Sequence, residues 1–130
     1  MARKKIVSDF YPDFTRIKKY ERKYINLPFD KVNNSDFFSL ASCVHTLYLT
    51  LGVLSFTSAD KDGWFPATMK ELVEKSKLSI NSVRFAKKVL EEKKFIDVGI
   101  AFHKNSNIHF SDCYRINGFK DMSVTENNEG

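Results

Sequence analysis

The chain has 130 residues and a formal net charge of +5, and 42% of its residues are hydrophobic, a composition typical of one globular domain. It contains no apolar run of about 18 residues and no apolar signal segment, so we expect neither a membrane span nor secretion. Two distant cysteines without metal-like spacing favour reduced thiols in a cytoplasmic protein.

Positive charge is concentrated in two segments of the chain. The first 24 residues hold eight basic and three acidic residues, which accounts for the whole net charge. The segment from Lys70 to Lys94 holds eight basic residues against four acidic ones. Two basic segments indicate a polyanionic partner, although lysine-rich surfaces also serve only to keep proteins soluble. Charge alone fits both interpretations equally.

The N-terminal segment is predicted to be a flexible arm over residues 1–9, followed by a short helix over residues 13–24. That helix would place apolar side chains near one face: Phe14, Ile17, Tyr20 and Tyr24. A helix this short is not stable alone, so it must pack on its own domain or on a second subunit. We favour the second subunit and predict a homodimer formed through Phe10 to Tyr24.

The middle of the chain predicts a core helix that starts near Leu40 and ends near Leu54. Its apolar side chains recur at helical spacing: Leu40, Val44, Leu47, Tyr48 and Leu51. A helical turn capped by Asn34 or Ser35 precedes it. His45 lies outside the apolar stripe, which predicts a partly exposed polar residue. A polar turn cluster and a short strand at residues 63–66 follow.

Two adjacent helices are predicted next. Thr68 and Glu71 form a capping-box pattern that starts a helix at Met69, and Ser79 caps a second helix after a tight turn. The second helix has a predicted inner face of Ile80, Val83, Ala86, Val89 and Leu90. Its predicted outer residues are Asn81, Ser82, Arg84, Lys87 and Lys88. Phe85 is apolar and adjacent to Arg84, and the sequence leaves open whether it meets a thymine methyl, a partner protein or the following hairpin.

A β-hairpin is predicted after the second helix. Apolar residues alternate at Ile96, Val98, Ile100 and Phe102, which predicts a strand with one buried face. The hairpin tip covers residues 103–107, and the return strand is expected to bulge near Ser111 and Asp112. The polar segment from Gly118 onward is predicted to fray.

These segments together resemble the winged helix-turn-helix superfamily. The resemblance is carried by T-x-x-E-L, S-x-x-S-V-R-x-A-x-K-x-L-E-E-K and F-I-D-V, and it spans about residues 39–117. It implies an α+β fold, with a three-helix core and a β-hairpin wing, preceded by an N-terminal arm or extra helix. The implied divisions are a basic arm at 1–24, a winged helix domain at 25–117 and a flexible tail at 118–130. Lys94 stands where many members have glycine, so it must adopt a left-handed conformation or end the helix differently.

A narrower resemblance concerns the YINLP segment, the L-Y-L-x-L core helix and the D-G-W turn, taken with the two helices. Together they are similar to the N-terminal domains of RepA-type plasmid replication initiators and phage replisome organisers. That similarity implies cytoplasmic binding of origin DNA, often as a dimer.

The residues themselves predict contacts with duplex DNA. A second helix of this kind enters the major groove, where arginine can recognise guanine and asparagine can recognise adenine. The candidate residues are Arg3, Lys4 and Lys5 in the arm, Thr68 and Lys70 at the first helix, Ser79, Asn81, Ser82, Arg84, Lys87 and Lys88 in the second, and Lys104 and Asn105 at the hairpin tip. Each of them also fits an ordinary solvated surface.

Catalytic and metal chemistry find little support in the sequence. His103, His109 and Cys113 match no zinc spacing and lack a fourth ligand, and no glycine-rich phosphate loop is present. We therefore expect no enzyme activity, cofactor, metal or small-molecule ligand. The predicted function is sequence-specific binding of double-stranded DNA in plasmid or phage replication or transcription control. The alternatives are a winged-helix protein-interaction adaptor and a single-stranded DNA-binding accessory protein of replication.

Overall fold

The structure, a computed structural model, describes residues 4–7, 27–59, 62–102 and 109–118. Its elements in chain order are β1 (Lys4–Val7), α1 (Phe29–Val32), α2 (Ser35–Phe38), α3 (Ser42–Ser58), β2 (Phe65–Ala67), α4 (Met69–Ser76), α5 (Ile80–Glu92), β3 (Ile96–Phe102) and β4 (His109–Ile116). The α+β architecture agrees with the prediction. The predicted helix over residues 13–24, the hairpin tip and the tail beyond Gly118 lie outside the described residues.

Helix α3 is the central element of the helical layer. It contains no Asp, Glu, Lys or Arg, and its inward residues Leu47, Tyr48 and Leu51 are fully buried. Helices α4 and α5 both pack against it. We predicted its end near Leu54, but it continues to Ser58 because Ser55 is also buried and its carbonyl accepts the Ala59 amide at 3.1 Å.

Side-chain caps define the short helices before and after α3. Asn34, one of the two predicted cap candidates, caps α2 by accepting the Phe37 amide at 2.8 Å. At α4 the Thr68 hydroxyl accepts the Glu71 amide, and the Glu71 carboxylate accepts the Thr68 amide, each at 3.1 Å. This reciprocal pair satisfies two amides that the first helical turn leaves unpaired, and it confirms the predicted start at Met69. The one-turn helix α1, which begins after Pro28, was not predicted.

Helix α5 begins at the predicted cap, where the Ser79 hydroxyl accepts the Ser82 amide at 3.2 Å. Val83, Ala86 and Leu90 are fully buried, as their spacing predicts. The prediction that Ile80 is buried was wrong, since 45% of it is exposed. At about 100° per residue, Ile80 points about 90° away from the centre of the buried stripe, so it lies at the edge of the packed face and stays partly exposed.

The C-terminus of α5 is closed by a left-handed residue. Lys94 has φ +64°, and its amide bonds to the Glu91 carbonyl at 3.1 Å, while the Phe95 amide bonds to the Leu90 carbonyl at 2.9 Å. This pair of bonds is the Schellman arrangement, in which glycine is usual. Lysine therefore adopts the left-handed conformation here. Lys77 at the end of α4 does the same with φ +63°, which the sequence did not indicate.

The sheet has the strand order β1-β3-β4-β2. β4 pairs antiparallel with both β3 and β2, so that Tyr114 lies opposite Val98 on one side and Phe65 on the other. β1 runs parallel to β3, with Lys4 opposite Gly99. The prediction of a flexible arm was therefore wrong for residues 4–7. Ile6 and Val7 favour extended backbone, and β3 would otherwise leave a row of unpaired amides at this edge.

The sheet buries side chains on both of its faces. Ile96, Val98, Tyr114 and Ile116 join the helical core, while Trp64, Ala101 and Cys113 form a second cluster. The prediction of a single buried face on β3 was therefore wrong: Ala101 is buried, and Ile100 and Phe102 are only partly buried. The predicted bulge lies beside Ser111, because the register shifts where Ala101 pairs with Ser111 and Phe102 with His109.

An aromatic cluster joins α2, α3 and the start of β3. The Phe37 ring lies 5.5 Å from Tyr48 and 5.3 Å from Phe95, both in edge-to-face geometry. The Tyr48 hydroxyl is buried without a hydrogen-bond partner among the described residues. Burial raises the pKa of Tyr48 to about 12. The buried Tyr48 hydroxyl therefore destabilises the fold, because it gives up hydrogen bonds to water and gains none among the described residues.

We expect Tyr48→Phe to raise the free energy of unfolding by about 1–3 kcal/mol at pH 7, because it removes a buried unpaired hydroxyl. Between about pH 10 and 12 the unfolded chain loses the Tyr48 proton while the folded chain keeps it, so this residue destabilises the fold as pH rises. Tyr48→Phe should reduce that loss. Urea denaturation at pH 7 and at pH 11 measures both effects.

Tyr114→Phe is the matched control, because Tyr114 is also almost fully buried but the centre of its ring lies 5.2 Å from the Lys87 ammonium. Removing the Tyr114 hydroxyl beside this charge should lower stability at pH 7. A Tyr48→Phe variant that is also less stable than the parent would contradict the assignment of an unpaired hydroxyl.

Candidate nucleic-acid interface

The outer face of α5 presents a stripe of exposed side chains: Asn81, Arg84, Phe85 and Lys88. Their spacing of i, i+3, i+4 and i+7 places them side by side along the helix. The stripe lies opposite the buried residues Val83, Ala86 and Leu90, so packing of the inner face fixes which side chains point to solvent. We call these four residues the outer stripe.

The charge of α5 is polarised along its axis. From Ser79 to Leu90 the sequence contains no acidic residue, and the two carboxylates of the helix, Glu91 and Glu92, both lie in its last turn. The N-terminal end of a helix also carries the positive end of its dipole. The first three turns of α5 are therefore the part suited to a polyanion, and the last turn is not.

Lys87 departs from the predicted outward set. Its ammonium lies 2.6 Å from the Asp112 carboxylate and 5.2 Å from the centre of the Tyr114 ring, and only 14% of its side chain is exposed. Burial lowers the pKa of Lys87, but Tyr114 and Asp112 outweigh it and raise that pKa overall. Lys87 thus ties α5 to β4. Sequence spacing missed this because Asp112 is distant in the chain.

The serine and threonine candidates are engaged in capping. The Ser79 hydroxyl accepts the Ser82 amide and donates to the Ser82 hydroxyl at 3.0 Å. Thr68 is held by the capping box, which places the Glu71 carboxylate at the start of α4. A carboxylate there competes with a phosphate for the same amides. These residues position the helices, whereas Lys70 beside them is exposed.

Several predicted contacts fall outside what the structure describes. Arg3, Lys104 and Asn105 lie beyond the described residues, and Lys4 and Lys5 are described only as backbone of β1. The feature that the sequence missed is the exposure of Ile80, which adjoins Arg84 one turn along α5. It enlarges the apolar part of the outer face.

Two titratable residues outside the outer stripe, His45 and Arg115, have structural partners. His45 contacts the Phe37 carbonyl through Nε2 at 2.7 Å, and Arg115 donates to Asp97 at 3.0 Å and stacks on Trp64 at 4.7 Å. Within the described ranges, no three His, Cys, Asp or Glu side chains are grouped as a metal site would need. The described helices include none that is both long and apolar enough to cross a membrane.

Substitution of two adjacent lysines distinguishes a charge that stabilises the fold, that of Lys87, from an exposed charge, that of Lys88. We expect Lys87→Met to lower the free energy of unfolding by about 1–3 kcal/mol, because it removes a charged hydrogen bond from a largely buried site. Lys88→Met, at an exposed position of the same helix, should change it by less than about 0.5 kcal/mol. Urea denaturation at neutral pH measures the difference. Equal losses for the two variants would contradict the assigned roles.

The chain was compared with family models, curated proteins and solved structures. No family model matches it, and no curated protein matches it. A solved structure described as "N-Terminal domain of DNA binding protein" is similar to it with a TM-score of 0.49 and 16% sequence identity, over 87% of this chain and 91% of that chain. A likeness of that extent does not establish a function.

Proposed function

We propose that the protein binds double-stranded DNA in a sequence-specific manner, with the first three turns of α5 in the major groove. The observation that supports this most directly is the outer stripe. It combines one arginine, one asparagine and one lysine on a single exposed helix face that carries no carboxylate before Glu91. The major groove of B-DNA admits an α-helix, and a basic face matches its phosphate walls.

The proposed roles follow from the hydrogen-bonding capacity of each side chain. Arg84 has the planar donors that pair with the O6 and N7 atoms of guanine, and Asn81 can both donate to and accept from adenine. Lys88, one turn after Arg84, is placed to contact a phosphate. Lys70 at the start of α4 is a second candidate for a phosphate contact.

We further propose that the fold is a winged helix. The order α3, β2, α4, α5, β3, β4 supports it, with β2 paired to the return strand of the hairpin. Lys104 and Asn105 at the hairpin tip would then contact the DNA backbone. The biological setting we propose is plasmid or phage replication or transcription control, which rests on the sequence resemblance alone.

One observation favours a second function. Phe85 and Ile80 are 53% and 45% exposed and lie on either side of Arg84 around α5, and exposed apolar side chains also suit a protein partner. Bases of single-stranded DNA stack on such aromatic rings as well. The two alternative functions are therefore a protein-interaction adaptor and a single-stranded DNA-binding accessory protein. The binding experiment must distinguish both from sequence-specific binding of duplex DNA.

A binding titration tests the proposal with duplex, single-stranded and competitor DNA. A duplex site selected from a random library should bind more tightly than random duplex and than either of its single strands. With about three phosphate contacts, the logarithm of the binding constant should fall with the logarithm of the salt concentration at a slope of about −3. Arg84→Ala should cost about 1–3 kcal/mol on the selected site and far less on random duplex.

Lys88→Ala and Lys93→Ala provide the controls. Lys88→Ala should weaken all duplexes alike and reduce the salt slope by about 1. Lys93 is exposed but follows Glu91 and Glu92, so its removal should have little effect. Absence of duplex binding at low salt contradicts the proposal, and tighter binding to the single strand favours the accessory-protein alternative.

We also propose that the protein acts as a homodimer through residues 10–24, since one recognition helix alone reads a short site. Deletion of residues 1–24 would also remove β1, so charged substitutions in the full chain are the cleaner test. Sedimentation at tens of micromolar should give a dimer that Ile17→Glu with Tyr20→Glu dissociates. Phe29→Glu, at a residue 70% exposed on α1, should leave it intact. A monomeric parent protein would contradict the proposal.

A further inference from the structure

Phe85 lies at the centre of the proposed interface, in an environment unlike that of the other exposed phenylalanines. It is 53% exposed, with Asn81 one turn before it, Arg84 adjacent and Lys88 three residues after it. A ring in this position would be desolvated together with the three polar side chains whenever the outer stripe is covered. Phe29 and Phe38 are exposed to 70% and 68%, but they lie on α1 and α2, away from the stripe.

We propose that Phe85 determines specificity by packing against the C5-methyl group of a thymine. The inference rests on the proposed binding of duplex DNA by α5. Among the base edges of the major groove, the thymine methyl is the apolar group that a phenylalanine can bury, while the guanine, adenine and cytosine edges present polar atoms. Covering any of those with a ring would leave them without hydrogen bonds, which is unfavourable.

The spacing along α5 limits where that thymine lies. Asn81 and Phe85 are separated by one helical turn of about 5.4 Å, whereas successive base pairs are about 3.4 Å apart. The base pair read by Asn81 and the thymine contacted by Phe85 therefore lie within about two steps of each other. Arg84 projects beside Phe85, so a guanine is expected in the same short stretch. The expected DNA site is therefore a short sequence that contains the thymine contacted by Phe85, an adenine contacted by Asn81 and a guanine contacted by Arg84.

The experiment removes the methyl group from the DNA and the ring from the protein. In the duplex selected by the parent protein, each thymine is replaced singly by deoxyuridine, which lacks only the methyl group. Burial of one methyl group corresponds to about a fourfold change in affinity. We expect one thymine whose replacement lowers parent affinity by about fourfold, and a Phe85→Ala protein that binds the original duplex more weakly and no longer responds to that replacement.

Two variants serve as controls, and the outcomes separate the two proposals. Phe38→Ala should keep both the affinity and the deoxyuridine response, and Ile80→Ala should keep the response, because Ile80 lies one turn before Arg84 rather than beside Phe85. Duplex binding with no responsive thymine, or an unchanged response in Phe85→Ala, overturns the role of Phe85 while leaving DNA binding intact. No duplex binding by the parent protein overturns the function and this inference together.

Discussion

The packing of α5 against the uncharged helix α3 is the interaction on which the rest of the structure depends. Leu47, Tyr48 and Leu51 present an apolar surface, and Val83, Ala86 and Leu90 are buried in the same core. Burial of about six such side chains contributes several kcal/mol, enough to fix the rotation of α5 about its axis. Because that rotation is fixed, Asn81, Arg84, Phe85 and Lys88 are held outward as one stripe. The proposed interface is thus the outer face of the same helix whose inner face is packed in the core.

Both ends of α5 are tied down by specific contacts, which makes the stripe a fixed surface. The Ser79 hydroxyl accepts the Ser82 amide at the start of the helix. At its end, the left-handed Lys94 turns the chain so that Phe95 enters the aromatic cluster with Phe37 and Tyr48. Lys87 adds a lateral link to Asp112 on β4. A rigid helix loses little conformational freedom when it binds, so its side chains can discriminate between ligands that differ by one group. The lysine conformation at Lys94 costs some stability, and the buried contacts on both sides of it offset that cost.

The sequence was most informative where structure is decided within a few residues. The capping patterns at Asn34, Thr68 and Ser79 gave correct helix starts, because a cap depends on a side chain and an amide three residues later. It failed where distant segments decide the outcome. The pairing of β1 with β3, the burial of Ala101 on the second face of the sheet and the Lys87–Asp112 contact all need partners that spacing cannot reveal. Of the site, periodicity alone identified Asn81, Arg84 and Lys88 as outward, but it could not distinguish Lys87 from them or show that Ile80 is exposed.

The measurement that tests the central claim most directly is amide chemical-shift mapping of the full-length protein as duplex DNA is added. The account predicts that the largest changes fall on residues 79–88, with smaller ones at the start of α4 and little change over α3. Such changes would identify the outer stripe as the contact surface in the unsubstituted protein. Changes concentrated on the exposed residues Leu49 and Val53 of α3, with residues 79–88 unaffected, would contradict the claim that the outer face of α5 binds DNA.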